Sequence, residues 1–279
     1  MSLLAADARA FGAAARNQWR VARRYPAQWL SFFFWPILLP GVYVVMGSAM
    51  AAGDPRATDA FASRAGTGDV AGFVFVGWSM YMWLSNVLWG PAMAVRMDQL
   101  RGTLDAVFLT PSSRLVVLIG PSTYALVPAW INFVVMAVAL RVIFGAELAP
   151  DALARAALVM AAGIPAMYGI GALVATVVLR VGEIGGVVQL VRGVFTLACG
   201  VAFPIVMLPD WARVVAHALP PTYVVADARA VLLAGADLAA IVPDLAMLGL
   251  LSAFVCMLAV WAFALVERGA RRSGMLSRY

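Results

Sequence analysis

Six long apolar stretches, separated by short polar segments, make up most of the chain. Each exceeds the roughly 20 residues that a helix needs to cross a hydrocarbon core about 30 Å thick. The pattern therefore predicts six transmembrane helices and an all-α membrane protein. The predicted spans cover residues 26–50, 71–95, 115–140, 156–179, 184–208 and 245–266.

The first 25 residues precede these spans and form a separate amphipathic unit. Leu4, Phe11 and Trp19 recur at helical spacing, whereas arginines occupy another face of the same helix. Such a helix lies along the membrane interface. It either anchors the chain to lipid or shapes a lateral entrance between subunits, and the predicted six-span domain follows at residues 26–279.

Composition supports the membrane assignment and gives its orientation. Hydrophobic residues form 64% of the chain and charged residues only 12%, a balance that excludes a soluble globule of 279 residues. All 20 basic residues are arginine, and most lie on the side that holds both termini, which the positive-inside rule places in the cytoplasm. The sequence therefore predicts a bacterial cytoplasmic membrane protein. Its basic balance reflects topology and contact with anionic lipid, with no need for nucleic acid.

The two longer segments on the outer side differ in character. Residues 51–70 are rich in small and polar residues and predict a solvated loop. Between spans five and six, Pro209 begins a short helix ending near Leu219, and residues 222–233 predict a second, apolar helix that ends at Gly235. The pair is too short to cross twice and too apolar for water. We therefore predict a re-entrant helical hairpin in the outer leaflet.

The polar segment at residues 96–114 joins spans two and three on the cytoplasmic side. Its apolar residues follow i, i+4, i+7, i+8 spacing and are Leu100, Leu104, Val107 and Phe108. Asp98, Arg101 and Asp105 lie on the other side of the predicted helix, which Pro111 ends. A face of this kind fits a groove on a partner protein, and it fits equally a helix that lies on the inner leaflet.

The chain offers no visible energy source of its own. A carrier driven by protons or sodium normally has carboxylates near the membrane centre, and no Asp or Glu lies well inside a predicted span. A P-loop requires a lysine to hold nucleotide phosphates, and the chain has none. Any ATPase must therefore be a separate polypeptide that binds the ATP and Mg²⁺, and no cofactor is expected on this chain.

Candidate substrate contacts are concentrated in the second span. Its aromatic and polar side chains at near-helical spacing are Trp78, Tyr81, Met82, Ser85, Asn86 and Trp89. They would form an aromatic, sparsely polar wall for an amphipathic ligand, or an ordinary packing face and interfacial belt. Arg192 in the fifth span either reaches back to the cytoplasmic interface near Glu183 or contacts an anionic substrate group. Phe203 completes the set of candidates.

Two separated groups of residues resemble a known family. The first is RGTLD at residues 101–105, followed by LTP at residues 109–111 and by Arg114. The second consists of Phe203-Pro204, LPDW at residues 208–211, PTY at residues 221–223 and Arg229. In this order, and with six spans and a basic amphipathic N-terminus, they resemble ABC-2 type transporter permeases over nearly the whole chain.

The resemblance implies a half-transporter whose 96–114 segment is a coupling helix seated in a nucleotide-binding subunit. Two permease chains, identical or paralogous, would work with two ATPase chains. The residues implied in coupling are Leu100, Arg101, Gly102, Thr103, Leu104, Asp105, Val107, Phe108, Thr110, Pro111 and Arg114.

The resemblance also bears on the cargo, because the chain is more similar to the drug-resistance and lipid-export branch than to the polysaccharide branch. It implies export of a hydrophobic or amphipathic small molecule or lipid, with export of a polysaccharide or lipid-linked glycan as the alternative. An intramembrane enzyme is disfavoured because the only histidine, His217, has no clustered ligands and no aspartyl pair lies within the predicted spans. An ion channel would have no reason to carry an ATPase-docking loop.

Overall fold

The computed structural model describes residues 3–24, 26–51, 55–102 and 119–273, and every regular element within them is helical. The α-helices are α1 (Leu3–Ala22), α2 (Pro26–Ala51), α3 (Pro55–Ala65), α4 (Val70–Leu100), α5 (Leu126–Ile143), α6 (Pro150–Val181), α7 (Gly185–Ala198), α8 (Asp210–His217), α9 (Pro220–Ala234) and α10 (Leu238–Ser273). Short 3₁₀ turns occur at Thr123–Ala125 and Ile205–Met207. The predicted all-α fold class is confirmed for these parts of the chain.

Five helical stretches of the described chain are long and apolar enough to cross a membrane. They are Trp29–Gly47, Val70–Leu100, Ile119–Ile143, Pro150–Val181 and Leu238–Val266. Each coincides with one predicted span over most of its length, because long uncharged runs satisfy their backbone within a helix when no water is present. Several of these helices extend beyond the predicted limits, α4 by five residues at its inner end.

The predicted fifth span at residues 184–208 is not one helix. Helix α7 has 14 residues and ends at Ala198, a length of about 21 Å, which is short of the hydrocarbon thickness. Gly200 adopts a left-handed conformation with φ of 72°, and Pro204 is extended. These two residues end the helical hydrogen-bond pattern although the surrounding sequence stays apolar.

The two short helices predicted after this break are present as α8 and α9. Helix α9 begins at Pro220, two residues earlier than predicted, because proline suits the first turn of a helix. It ends at Gly235, whose left-handed conformation has a φ of 65°. The Thr222 hydroxyl donates to the Ala216 carbonyl at 2.6 Å, so α9 folds back onto the end of α8. The depth of this hairpin in the membrane stays a prediction.

The outer segment at residues 51–70, predicted as a solvated loop, contains helix α3. The Phe61 ring of α3 packs edge-on against Phe73 of α4, with 5.2 Å between the ring centroids. Asp69 then caps α4, since its carboxylate accepts from the Gly72 amide at 2.8 Å. The segment is therefore tied to the bundle by one aromatic contact and one helix cap.

Helix α4 is the central element and is buried along most of its length between α2, α5, α6 and α9. Glycines let the backbones approach closely. A Cβ at Gly171 of α6 would lie 2.9 Å from the Pro91 side chain and 3.0 Å from the Leu88 carbonyl of α4. A Cβ at Gly169 would meet Val255 of α10 at 2.9 Å. These two glycines therefore allow α6 to pack closely against α4 and α10.

The predicted N-terminal helix is present as α1 and packs on the bundle through an aromatic cluster. Trp19 lies edge-on to Trp29 of α2 at 5.7 Å between ring centroids and 6.2 Å from Tyr124. Arg23 lies over the Trp19 ring at 5.4 Å. Helix α1 is therefore attached to the start of α2 and to the segment that leads into α5.

Candidate functional site

A row of side chains crosses the bundle from α2 through α4 to α7, and we call it the aromatic ladder: Tyr43, Trp78, Tyr81 and Arg192. Tyr43 stacks flat on Trp78 with 3.6 Å between ring centroids. Trp78 lies edge-on to Tyr81 at 5.2 Å, and the Arg192 guanidinium lies 5.0 Å from the Tyr81 ring centroid. The structure thus brings together three predicted substrate contacts: Trp78 and Tyr81 of α4, and Arg192 of α7.

The sequence analysis missed Tyr43. A signal was available, because a tyrosine in an apolar span usually has a partner for its polar end or its ring. The ring that Tyr43 contacts could not be predicted, because Tyr43 lies on α2 and Trp78 on α4, with α3 between them in the sequence.

Arg192 has no carboxylate partner in the part of the chain that the structure describes. Its Nη1 donates to the neutral amide of Gln189 at 3.0 Å, and its buried Nε has no hydrogen-bond partner. Glu183 instead accepts from the Gly186 amide at 2.8 Å, where it caps the start of α7. Arg192 therefore contacts Tyr81, whereas Glu183, which was predicted to lie near Arg192, bonds to the backbone of α7.

Of the remaining predicted substrate contacts on α4, one is buried and three are partly exposed. Ser85 is buried, and its hydroxyl donates to the Tyr81 carbonyl at 2.7 Å, so it is committed to its own helix. Met82, Asn86 and Trp89 on α4 are partly buried, and Trp89 packs against the hydrophobic core. Packing therefore accounts for Ser85 and for part of the predicted wall.

Phe203 lies in the non-helical segment between α7 and the following 3₁₀ turn, where it is partly buried. Among the described residues, no ring contact links Phe203 to the aromatic ladder. Its place in a substrate path stays a prediction.

Arg229 of α9 holds three elements together, a role that the sequence analysis missed. It is 9% exposed. Its Nε donates to the Phe73 carbonyl of α4 at 3.1 Å, its Nη2 to the Val201 carbonyl at 2.8 Å, and its Nη1 to the Gly200 carbonyl. Val201 and Gly200 directly follow α7, so this Arg229 clamp fixes the end of α7 and helix α9 onto α4.

The clamp requires a glycine at position 77 of α4. A Cβ at Gly77 would lie 2.0 Å from the Arg229 Nη2 and 2.2 Å from the Val201 carbonyl oxygen. A charged residue in an otherwise apolar helix was a usable signal for Arg229. Its carbonyl partners were not predictable, because they depend on the break after α7.

One carboxyl group of α9 is buried. Asp227 is 2% exposed, and its Oδ2 has no hydrogen-bond partner among the described residues. Burial raises the pKa of the Asp227 carboxyl to about 7, and the negative charge of Asp244 adds to the rise. The sequence analysis did not identify this buried carboxyl group.

Asp244 also corrects the predicted start of the last span. The sequence analysis placed it outside a span beginning at residue 245, whereas the apolar helical stretch Leu238–Val266 includes it. The reason is that residues 238–243 are themselves apolar apart from a proline at the end and continue the same helix. One carboxylate thus lies inside a candidate membrane-crossing helix.

The C-terminal end of α4 adjoins the predicted coupling helix. Helix α4 continues to Leu100, which is exposed, and the Arg101 amide closes its last turn by donating to the Met97 carbonyl at 3.0 Å. Gly102 then has a φ of 66°, which ends the helix. Leu100 therefore lies at the end of α4, before the break at Gly102.

The other predicted coupling residues lie in the segment 103–118, outside the described residues. They are Thr103, Leu104, Asp105, Val107, Phe108, Thr110, Pro111 and Arg114. Their prediction as a docking helix stands untested.

Residues 119–125 contact three helices. A Cβ at Gly120 would lie 3.1 Å from the Ala14 Cβ of α1, and one at Gly90 of α4 would lie 3.1 Å from the Ser122 Cβ. The Tyr168 hydroxyl of α6 donates to the Ser122 carbonyl at 2.8 Å. This stretch therefore packs against α1, α4 and α6.

Comparison with known families agrees with both sets of motif residues. The family model described as ABC-2 type transporter matches residues 10–233. The match begins within α1 and ends within α9, so it includes the polar inner segment, the aromatic ladder and the Arg229 clamp. No curated protein matches the chain.

Proposed function

Because the chain belongs to the ABC-2 type transporter family, and is therefore a membrane subunit of an ABC transporter, we propose that it exports an amphipathic small molecule or lipid carrying an anionic group. The observation that carries the proposal is the position of Arg192 at the end of the aromatic ladder. There a cation faces an aromatic ring and a neutral amide, and its Nε has no partner.

A cation in apolar surroundings needs a physical reason. An arginine at the centre of a membrane helix costs about 2.5–3.5 kcal/mol on insertion scales. An anionic cargo group would supply the charge-assisted hydrogen bonds that Gln189 cannot. The ladder rings would at the same time pack against an apolar cargo body.

The surface next to Arg192 suits an apolar cargo body as well. Helix α7 buries Val188 and Phe195 against the bundle, while Leu190, Val194 and Leu197 are exposed on its other side. We assign this exposed side to a path between this permease and a second permease chain, identical or paralogous. Arg192 would then mark the polar end of an otherwise apolar passage.

The energy for export would come from separate ATPase subunits, since members of this family generally work with such partners. We assign the segment 103–118 to the docking site, with Leu104, Val107 and Phe108 in the ATPase groove and Asp105 in polar contact with it. Movement of that segment would pass to α1, α4 and α6 through residues 119–125. In this arrangement both termini lie in the cytoplasm of a bacterial cell.

The proposal is tested with the permease and its co-purified ATPase in lipid nanodiscs. ATP hydrolysis is measured against a series of amphipathic compounds that share one apolar body and differ in having an anionic or a neutral head. Anionic members should stimulate the wild-type complex at lower concentration than neutral members. The Arg192→Gln variant should lose this preference, and Arg192→Lys should retain part of it.

Arg180→Gln is the matched control, because Arg180 is exposed in the last turn of α6. It should respond like the wild type. Undiminished discrimination between anionic and neutral heads in Arg192→Gln would remove the assigned role of Arg192. Stimulation by glycan carriers alone would instead favour export of a polysaccharide or lipid-linked glycan.

A further inference from the structure

An apolar groove lies between α2 and α5, and we call it the α2–α5 groove. Its volume is about 410 Å³, and its lining residues are Phe33, Leu126, Val127, Trp130, Ile131 and Val134. This volume falls within the roughly 300–1,000 Å³ of small-molecule sites in proteins. Both helices belong to candidate membrane-crossing stretches, so the accessible side of the groove would face the hydrocarbon of the bilayer.

The groove is elongated along α5. Leu126, Trp130 and Val134 follow one another at i, i+4 and i+8, so they form a row about 12 Å long on one face of the helix. Val134 on α5 is 57% exposed and Phe33 on α2 is 50% exposed. An apolar recess of this length, open along its side, accommodates an extended alkyl chain.

The end of the groove at Leu126 adjoins the aromatic cluster that attaches α1. Tyr124 precedes Leu126 by two residues, and Trp29 lies one helical turn before Phe33 on α2. The Tyr124 ring lies 6.3 Å from the Trp29 ring and 6.2 Å from the Trp19 ring. Tryptophan and tyrosine rings are enriched at the level of the lipid headgroups. This end of the groove therefore matches the position of a headgroup, and the rest of the groove matches that of an acyl chain.

The same cluster carries a positive charge. The Arg23 guanidinium lies 5.4 Å from the centroid of the Trp19 ring, and Arg23 is exposed. The ion pairs of the described residues do not include it. Arg20, three residues earlier, is exposed as well. Arginine binds phosphate through charge-assisted hydrogen bonds, so this end of the groove is complementary to an anionic headgroup.

A second permease chain suits the groove less well than a lipid. Membrane helices approach one another closely where glycine, alanine, serine or threonine lies at the contact, and the groove is lined by none of these residues. The proposed cargo contact Arg192 lies on α7, which does not line the groove. A lipid supplies both the apolar chain and the negative charge that the groove and Arg23 require.

We propose that the α2–α5 groove binds one anionic phospholipid of the cytoplasmic leaflet, with an acyl chain along the α5 row and the phosphate at Arg23. In the predicted orientation this end of the groove lies at the inner membrane surface, where anionic lipids attract arginines. The bound lipid contacts α1, α2 and α5 together. Because α1 also packs on Gly120 through Ala14, the lipid helps to hold α1 and residues 119–125 in place. It is a resident lipid, so the inference is independent of the cargo.

The experiment uses the full chain in complex with its ATPase and counts bound lipids by native mass spectrometry. The complex is titrated with phosphatidylglycerol or with phosphatidylcholine of the same acyl chains. The wild type should bind one phosphatidylglycerol per permease chain about tenfold more tightly than phosphatidylcholine, since only the former has an anionic headgroup. Arg23→Gln should remove this preference. Arg16→Gln, at an exposed position two turns before Arg23, is the matched control and should keep it.

A second pair of variants tests the groove itself. Val134→Trp places an indole in the groove and should weaken binding of both lipids. Val142→Trp makes the same change two turns later on α5, at a position that is 75% exposed and outside the groove, and it should bind both lipids like the wild type.

Hydrogen exchange in nanodiscs measures the effect of the lipid on α1. Replacing part of the phosphatidylcholine by phosphatidylglycerol should slow exchange of the α1 amides in the wild type and in Arg16→Gln. The effect should be much smaller in Arg23→Gln and in Val134→Trp, while unchanged exchange in α6 shows that these variants are folded.

Two outcomes would overturn the proposal. Equal loss of phosphatidylglycerol in Arg16→Gln and Arg23→Gln would mean that the arginines attract anionic lipid diffusely, without a site. Separation of the permease chains by Val134→Trp, with the lipid count unchanged, would assign the groove to a second copy of the chain.

Discussion

Arg229 donates its Nε to the carbonyl of Phe73 at 3.1 Å and lies 3.5 Å above the centroid of the same residue's ring. One side chain thus uses both the backbone and the ring of a single partner. The two residues are 156 positions apart in sequence. This contact joins the N-terminal part of α4 to α9. The first two predictions concern the strength of this contact.

Replacing Arg229 by leucine should destabilise the protein strongly. The change leaves the buried carbonyls of Phe73, Gly200 and Val201 without their donors, and each buried acceptor left unpaired costs about 1–3 kcal/mol. The thermal midpoint of the chain in nanodiscs should fall, and hydrogen exchange should rise first in α9. Arg213→Leu, which removes a partly exposed arginine paired with Asp210, is the control and should change little. Equal losses in the two variants would mean that the Arg229 bonds do not hold the hairpin.

Adding one methyl group at Gly77 should have a similar effect by a steric route. The new Cβ would overlap the Arg229 Nη2 and the Val201 carbonyl, and overpacking of this kind typically costs about 1–3 kcal/mol. The measurement is again the thermal midpoint, with exchange in α7 and α9. Gly249→Ala is the matched control, because a Cβ there meets no atom within 4 Å and alanine favours the helix. The prediction fails if both alanine variants are equally stable.

Replacing Phe108 by aspartate should weaken binding of the ATPase. Burial of a phenylalanine contributes about 1.5–3 kcal/mol, so its loss should lower the affinity about tenfold or more. Reversing the charge at Asp105 should uncouple ATP hydrolysis from transport of the cargo. The measurements are co-purification of the ATPase and its stimulation in the reconstituted complex. Ala60→Asp, an exposed position on α3, is the control on the outer side, and normal stimulation in the Phe108 variant would refute the docking assignment.

Replacing Tyr168 by phenylalanine should leave binding of the ATPase intact but weaken the coupling between cargo and ATP hydrolysis. The variant keeps the ring but removes the hydroxyl that donates to the Ser122 carbonyl, a bond with a net contribution of about 0.5–1.5 kcal/mol. ATPase binding should persist, whereas the stimulation of ATP hydrolysis by cargo should fall. Tyr223→Phe, which removes a comparable bond to the His217 carbonyl, should leave coupling intact. A Tyr168 variant with full cargo stimulation would show that residues 119–125 transmit without this bond.

The amino-acid sequence by itself determined the class of protein and most of its helices. Apolar runs of about 20 residues predict membrane-crossing helices because their preference for a nonpolar environment is a local property of the side chains. Glycine at position 235 and proline at position 220 mark the limits of α9 for equally local reasons of backbone conformation. The short motifs were also sufficient to indicate the family.

The tertiary structure decided where those helices break and which side chains meet. The sequence stays largely apolar on both sides of Ala198, so hydropathy could not reveal that α7 stops there. The Arg229 clamp and the stacking of Tyr43 on Trp78 depend on how separate helices pack. A sequence pattern records the environment that each residue prefers, whereas a partner distant in the chain is chosen by the geometry of the whole bundle.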